Sequence, residues 1–320
     1  MGDNKDYDFE DNDLTQSDEI AISRMSDRSI LSRCGLYLSL MTIAIFVVQI
    51  IAGIIVGGFF PEVADADWFN VVLTFVGIVG VGLPVYIKLM KKIPDSEKGE
   101  KSKISIWQFV GYFIVCIAAT YISNLVGLFI SAFIEIFKGF EVVNPLEDFM
   151  LNSNWVLLMI YAVIIAPIVE ELIFRKILLD KLRRFGDLPA MLLTGFAFGI
   201  FHFNLSQFFY ASVLGILFAY ITIRTNRIIY SIVLHMMINF IGTVIAPFAA
   251  TNQMAALYVT AWFFGTMIIG SILFIVNSRR ILILKPEKPL VRKRDYIINL
   301  GTLLFLGIGL SIIVINIVVY

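Results

Sequence analysis

The stretch "APIVEELIFR", Ala166–Arg175, lies mid-chain between the apolar runs "WVLLMIYAVII", Trp155–Ile165, and "KILL", Lys176–Leu179. Two adjacent glutamates and an arginine interrupt a segment that otherwise has the length and apolarity of a membrane span. What those charges do depends on whether the segment is membrane, and the rest of the chain decides that. Of 320 residues, 59% are hydrophobic and 16% charged, with a mean hydropathy of +0.87. A soluble domain is ordinarily about half apolar and about a quarter charged, so this composition points to an integral membrane protein. Formal net charge is zero, which gives no electrostatic reason to expect a nucleic-acid partner. The two cysteines, Cys34 and Cys116, sit far apart near or inside apolar runs. They read as small buried hydrophobes rather than as a disulfide or a metal pair.

Runs apolar enough to span are Gly35–Phe60, Phe69–Lys88, Ile106–Phe137, Trp155–Leu179, Pro189–Phe203, Gln207–Ile223, Ile228–Pro247, Ala255–Val276 and Ile297–Val319. The third is long enough to tilt or to carry an interfacial turn. The fifth and sixth are short, roughly 23–26 Å each as helix, and only Asn204-Leu205-Ser206 joins them; they read as a hairpin whose tip stops inside the bilayer. The sequence therefore predicts an all-α, polytopic bundle of about nine spans. Of the 25 Lys and Arg residues, 24 fall in every second connection, Lys138 being the exception. By the positive-inside rule the N-terminus is cytoplasmic and the C-terminus extracytoplasmic. The acid-rich start is unlike a cleavable leader. The organisation expected is a disordered tail over 1–34, N-terminal spans over 35–154, a polar core over 155–247 and C-terminal spans over 248–320. The small-residue runs "GIIVGG" and "GIVGVG" read as helix-packing surfaces.

A carboxylate in mid-membrane costs a few kcal/mol even by insertion scales, so it is paired or functional. Glu171 and Arg175 stand at i and i+4, acid first, the favourable order for a helical ion pair. That structural reading leaves Glu170 unexplained, since it points about 100° away around the helix. Pro167, about one turn earlier, frees a backbone carbonyl and introduces a kink. The chain's two histidines both lie in spans: "FAFGIFHF" sets Phe198 and His202 on one helix face, and "LHMMINF" does the same for His235 and Asn239. With Glu170 at about 15 Å, His235 at about 10 Å and His202 at about 20 Å along their spans, a single shared polar site inside the bilayer is expected.

That set has a chemistry. A desolvated carboxylate can serve as general base near neutral pH, a histidine beside it can hold and polarise the same water, and a histidine with an asparagine can donate to an oxyanion. No serine or cysteine stands at motif spacing with a histidine, so direct attack by water on a peptide carbonyl is favoured. "EELIFR" fits EExxxR, "FGIFH" carries FxxxH and "HMMIN" fits HxxxN. These three motifs, in this order on separate helices, resemble the CPBP family, the CAAX-protease and bacteriocin-processing group also called Abi, which includes intramembrane glutamate proteases of the Rce-type. The resemblance covers roughly Trp155 to Pro247. It implies that Glu170 activates water with His202, that His235 and Asn239 form the oxyanion site, and that Glu171, Arg175 and Phe198 support them. It also implies a bacterial plasma-membrane endopeptidase without a cofactor or metal. The implied partners are the lipid bilayer and a peptide or lipoprotein substrate entering from the membrane or the cytoplasmic side.

Three other readings stand beside it. Two glutamates and two histidines could ligate zinc, although there is no HExxH and Arg175 competes for Glu171. Members of the same family also act as membrane scaffolds or bacteriocin self-immunity proteins. A proton-coupled transporter would use buried Glu and His too, but its expected inverted repeat is not visible.

Overall fold

A computed structural model describes residues 25–140, 142, 144, 149–150, 152–286 and 290–319. The expected tail therefore lies, through residue 24, outside the described residues. All regular structure among the described residues is helical. The molecule is an all-α polytopic bundle, as the apolar runs predict. Its spanning helices are α1 (Asp27–Phe59), α2 (Phe69–Met90), α3 (Ile106–Lys138), α4 (Trp155–Phe185), α6 (Leu205–Thr225), α7 (Ile229–Thr251), α8 (Gln253–Asn277) and α9 (Leu300–Val319). Between α4 and α6 lies the shorter α5 (Asp187–Phe201).

Helix ends differ from the apolar runs because caps and polar partners, not hydropathy, end a helix. Helix α1 begins at Asp27, capped by Ser26, so the last eight residues of the expected disordered tail are helical. Helix α3 runs uninterrupted for 33 residues behind a capping box made by Ser105 and Gln108, and Gly139 ends it in the left-handed conformation at φ 79°. Helix α4 continues past Leu179 to Phe185, because its charged end finds partners. Asp180 pairs with Lys98 (2.5 Å), Lys181 with Asp95 (2.6 Å), and Arg183 donates to Asn226 (2.8 Å). Helix α6 is longer than the short run expected. Asn204 caps its start, and Asn226, left-handed at φ 52°, ends it.

These polar ends lie together on one face of the bundle. Ser96 and Ser102 donate their amides to Asp180 and Thr225, Arg184 meets Asp27, Arg28 meets Asp295, and Asp187 holds both Arg224 and the Leu284 amide. The segment between α8 and α9 crosses this face and carries α9 to its seat against α1. At the opposite face Asn154 donates to Asp67 (3.1 Å).

The hairpin α5–α6 is the most intimate helix pair. A Cβ at Gly199 would lie 2.7 Å from the Phe208 carbonyl, and one at Gly195 2.8 Å from the Ile216 amide; glycine lets the two backbones touch. Its tip is fastened from outside: Asn316 donates to the Phe203 carbonyl (2.9 Å) and Asn204 to Asn144 (2.7 Å). Phe203 holds a left-handed φ of 52° there, a costly conformation for a bulky residue. Of the two glycine-rich runs, "GIVGVG" packs as expected, with Gly82 against Ile45 and Gly77 against Gln49. The glycines of "GIIVGG" meet no neighbour within 4 Å, so this run corrects the packing expectation: α1 outlasts its partners there. Cys34 and Cys116 are free and buried.

Candidate active site

Helix α4 is not a uniform α-helix. It widens to π turns over Ile160–Ile165, returns to α over Ala166–Glu171, and widens again over Leu172–Leu178. The first widening precedes Pro167, as similar π segments precede Pro84 in α2 and Pro247 in α7. A proline ring collides with the carbonyl four residues back in an α-helix, and a wider turn gives that carbonyl room. The expected kink element is thus a π turn. The carbonyl of Ala162, five residues before Pro167, takes its hydrogen bond from another helix: the side chain of Asn239 donates to it (2.8 Å). The second π segment has no proline, and it begins directly after the two glutamates.

Glu171 and Arg175 are both fully buried and form the expected ion pair, Nη1 to Oε1 at 3.2 Å. The guanidinium lies against three rings, 4.3 Å from Phe198, 5.4 Å from Phe218 and 5.9 Å from Phe174. Aromatic faces compensate a cation that few dipoles solvate. Glu171 has a second partner that its spacing does not reveal: His235 Nδ1 lies 3.1 Å from the same Oε1. On the other side of that ring, Nε2 lies 3.7 Å from Glu170 Oε2. Glu170 is the more open acid, its side chain 17% exposed against 0% for Glu171.

His202 ends α5. Its Nδ1 donates to the Phe198 carbonyl (2.9 Å); a carbonyl only accepts, so that nitrogen carries the hydrogen and Nε2 bears the lone pair in the neutral ring. The Phe198 ring stands edge-on to both histidines, with centroids 4.8 Å from His202 and 5.6 Å from His235. Glu170, His202 and His235 are near enough to sense one another's charge. The structure thus brings together Glu170, Glu171, Arg175, Phe198, His202 and His235, and fastens Asn239 to the wall of the same helix.

Sequence reading missed several residues here. Phe218 stacks on both Arg175 and His235, and the phenols of Tyr161 and Tyr210 lie within electrostatic reach of Glu170. Gln207 donates to Tyr210 (2.9 Å) and Asn204 is hydrogen-bonded to Asn144, so polar groups extend from the site towards the hairpin tip. Only the Ala162 carbonyl had a signal, its place five residues before a proline. Among the described residues no three His, Cys, Asp or Glu side chains are arranged to hold a metal ion.

Residues 152–241 match the family model described as type II CAAX prenyl endopeptidase Rce1-like. The match spans the three motifs on α4, α5 and α7 and every residue placed above in the acid–histidine cluster. A protein of Bacillus subtilis (strain 168) named "Putative membrane peptidase YdiL" is 28% identical over 163 residues, which is 49% of this chain and 64% of that protein. The chain therefore spans less than two thirds of that relative's length. No solved structure matches the chain. Outside the matched segment, α1–α3 and α8–α9 contribute none of the acid or histidine side chains of this cluster.

Proposed function

We propose that this protein is an intramembrane endopeptidase that hydrolyses a peptide bond of a membrane-associated or lipidated protein with water activated at Glu170. The observation that carries the reading is Glu170 beside His235, with both histidines of the chain against Phe198, inside an apolar bundle. Such a cluster is expensive in lipid unless it is used. Its family resemblance and its peptidase-named relative support the same class of activity.

The chemistry follows from donors and acceptors. Water has two hydrogens, and Glu170 and His202 Nε2 each accept one; the oxygen's lone pair is then free to attack a carbonyl carbon. One N–H of the Asn239 amide is taken by Ala162, and the other is available to the carbonyl oxygen as it becomes negative, together with His235. Metal is not needed for any of these steps. The distribution of Lys and Arg supports a cytoplasmic N-terminus and an extracytoplasmic C-terminus, and the family resemblance implies the plasma membrane of a bacterium.

The test is cleavage of tagged hydrophobic peptides and lipopeptides by the detergent-purified protein. Glu170→Gln should lower the rate by about 10²–10⁴-fold, the usual worth of a general base, and a chelator should leave the rate unchanged. Equal rates for Glu170→Gln and the natural chain would remove Glu170 as base. Loss with chelator and recovery with zinc would replace the reading with a metal one.

A further inference from the structure

Glu170 and Glu171 are neighbours on a helix and so diverge by about 100°, yet both reach one imidazole. Glu171 Oε1 meets His235 Nδ1 at 3.1 Å, and Glu170 Oε2 lies 3.7 Å from Nε2 of the same ring. The two contacts are not equivalent. Glu171 is fully buried and its Oε1 also faces Arg175 Nη1 at 3.2 Å. A carboxylate paired with a guanidinium is an acceptor only, so the hydrogen of the Glu171–His235 bond belongs to Nδ1. The Glu170 contact is longer than a direct hydrogen bond. It leaves room for a group that touches both Oε2 and Nε2.

We propose that Glu171 is a positioning residue that fixes His235 in the Nδ1–H form and turns Nε2 permanently towards Glu170. Arg175 keeps Glu171 an acceptor, and Phe198 and Phe218 hold the ring plane between them, with centroids at 5.6 and 5.5 Å. Both histidines then share one design: Nδ1–H is bound to a fixed acceptor, the Phe198 carbonyl for His202 and Glu171 for His235, and Nε2 is presented to the site. The consequence for hydrolysis, which rests on the peptidase reading, concerns the proton. A neutral His235 presents a lone pair at Nε2 and cannot donate to an oxyanion. The proton that Glu170 takes from water is the nearest one available. As the water O–H bond breaks, its proton goes to Glu170 Oε2, and it passes on to His235 Nε2 when the two atoms close from 3.7 Å to hydrogen-bond distance. The hydroxide forms the new C–O bond, and the carbonyl π pair moves to oxygen and accepts the Nε2–H. When the C–N bond breaks, the same proton goes to the departing amine. No oxidant, metal or further reactant enters. The adjacent glutamates thus divide the work: one moves the proton and the other aims the ring that receives it.

The test is imidazole nitrogen NMR on histidine-labelled protein in lipid nanodiscs. The chain has two histidines, so His202→Asn assigns both rings at once. The expected result is that His235 Nδ1 carries a proton at every pH of a titration and that only the Nε2 resonance moves. Any pH at which Nδ1 is the bare nitrogen overturns the proposal, with no variant required. Glu171→Gln combined with Arg175→Met removes both charges of the buried pair. It should give a mixture of His235 tautomers and lower kcat by about 10²-fold or more with KM little changed, as loss of a histidine's orienting carboxylate does elsewhere. An unchanged tautomer in that double variant also overturns it. If no form of the protein cleaves any peptide, the peptidase reading fails while the NMR result still decides the position of the ring. If cleavage persists but the tautomer is wrong, the positioning role alone is lost.

Discussion

Arg175 is a fully buried cation that pairs with Glu171 and lies against the rings of Phe198, Phe218 and Phe174. None of its three guanidinium nitrogens makes a hydrogen bond among the described residues; Nη1 meets Glu171 as an ion pair. Such a residue tolerates neither loss nor imitation. Arg175→Met strands Glu171 as a buried charge and should cost about 3–5 kcal/mol, the usual penalty for breaking one side of a buried pair. Arg175→Lys should recover little, because an ammonium lacks the flat face that stacks between Phe198 and Phe218. Glu171→Gln together with Arg175→Met should be markedly less destabilised than Arg175→Met alone, since no charge is left behind. Thermal unfolding of the natural chain, Glu171→Gln, Arg175→Met and the double variant in one detergent forms the double-mutant cycle; a double variant no more stable than Arg175→Met would refute the ion pair as the source of the cost. The pair itself was legible in the sequence, because i and i+4 fix both partners on one face. The third member, His235, was not: it is 64 residues from Glu171, and no local spacing encodes which nitrogen of a distant ring meets which carboxylate.

At the scale of the helix, Pro167 controls how Glu170 is presented. Its ring lacks the N–H that would close the turn, the turn before it widens, and the freed Ala162 carbonyl draws in Asn239 from α7. One proline therefore couples the helix bearing the acids to the helix bearing the second histidine. Pro167→Ala restores an N–H able to close the turn and to compete with Asn239 for that carbonyl. Stability should stay level or rise, because an interior proline costs about 3 kcal/mol. Activity should fall by about 10²-fold, because closing a π turn rotates Glu170 relative to His235 and small misplacements are that costly. Parallel unfolding and cleavage assays read the two signs; a variant both stable and fully active would mean that the wide turn is incidental to the site. The sequence announced a break at Pro167 but not its form, since the repair depends on a side chain that arrives only after folding. Helix ends were blurred for a related reason. Asp180, Lys181 and Arg183 look like loop residues in a hydropathy reading, and they are helical because Lys98, Asp95 and Asn226 fold back to meet them.

For the whole molecule the question is which way the bundle faces. The charged connections after α2, α4, α6 and α8 gather with the start of α1 on one face, where Arg184–Asp27, Arg28–Asp295 and Arg224–Asp187 join segments far apart in the chain. That shared face is what alternate crossing demands. It explains why counting Lys and Arg over the connections was informative: one miscounted helix would have mixed the two sides. Facing is a separate matter, settled by the membrane rather than by packing, and the charge bias predicts that this face is cytoplasmic. The chain is suited to a direct check, because Cys34 and Cys116 are both buried, 3% and 1% exposed, and give little background with a thiol reagent. Single cysteines replacing Lys101 and Arg279 would mark the basic face, and replacing Asp65 and Asn252 the opposite one; all four positions are exposed. In intact cells a membrane-impermeant maleimide should label the Asp65 and Asn252 variants and spare the other two, which should react once the membrane is opened. The reverse pattern would invert the molecule and place its C-terminus inside. Labelling of Asp65 but not Asn252 would mean an odd number of crossings between them, as when α6 crosses and the shorter α5 does not; a hairpin that crosses twice or not at all leaves the two positions on one side.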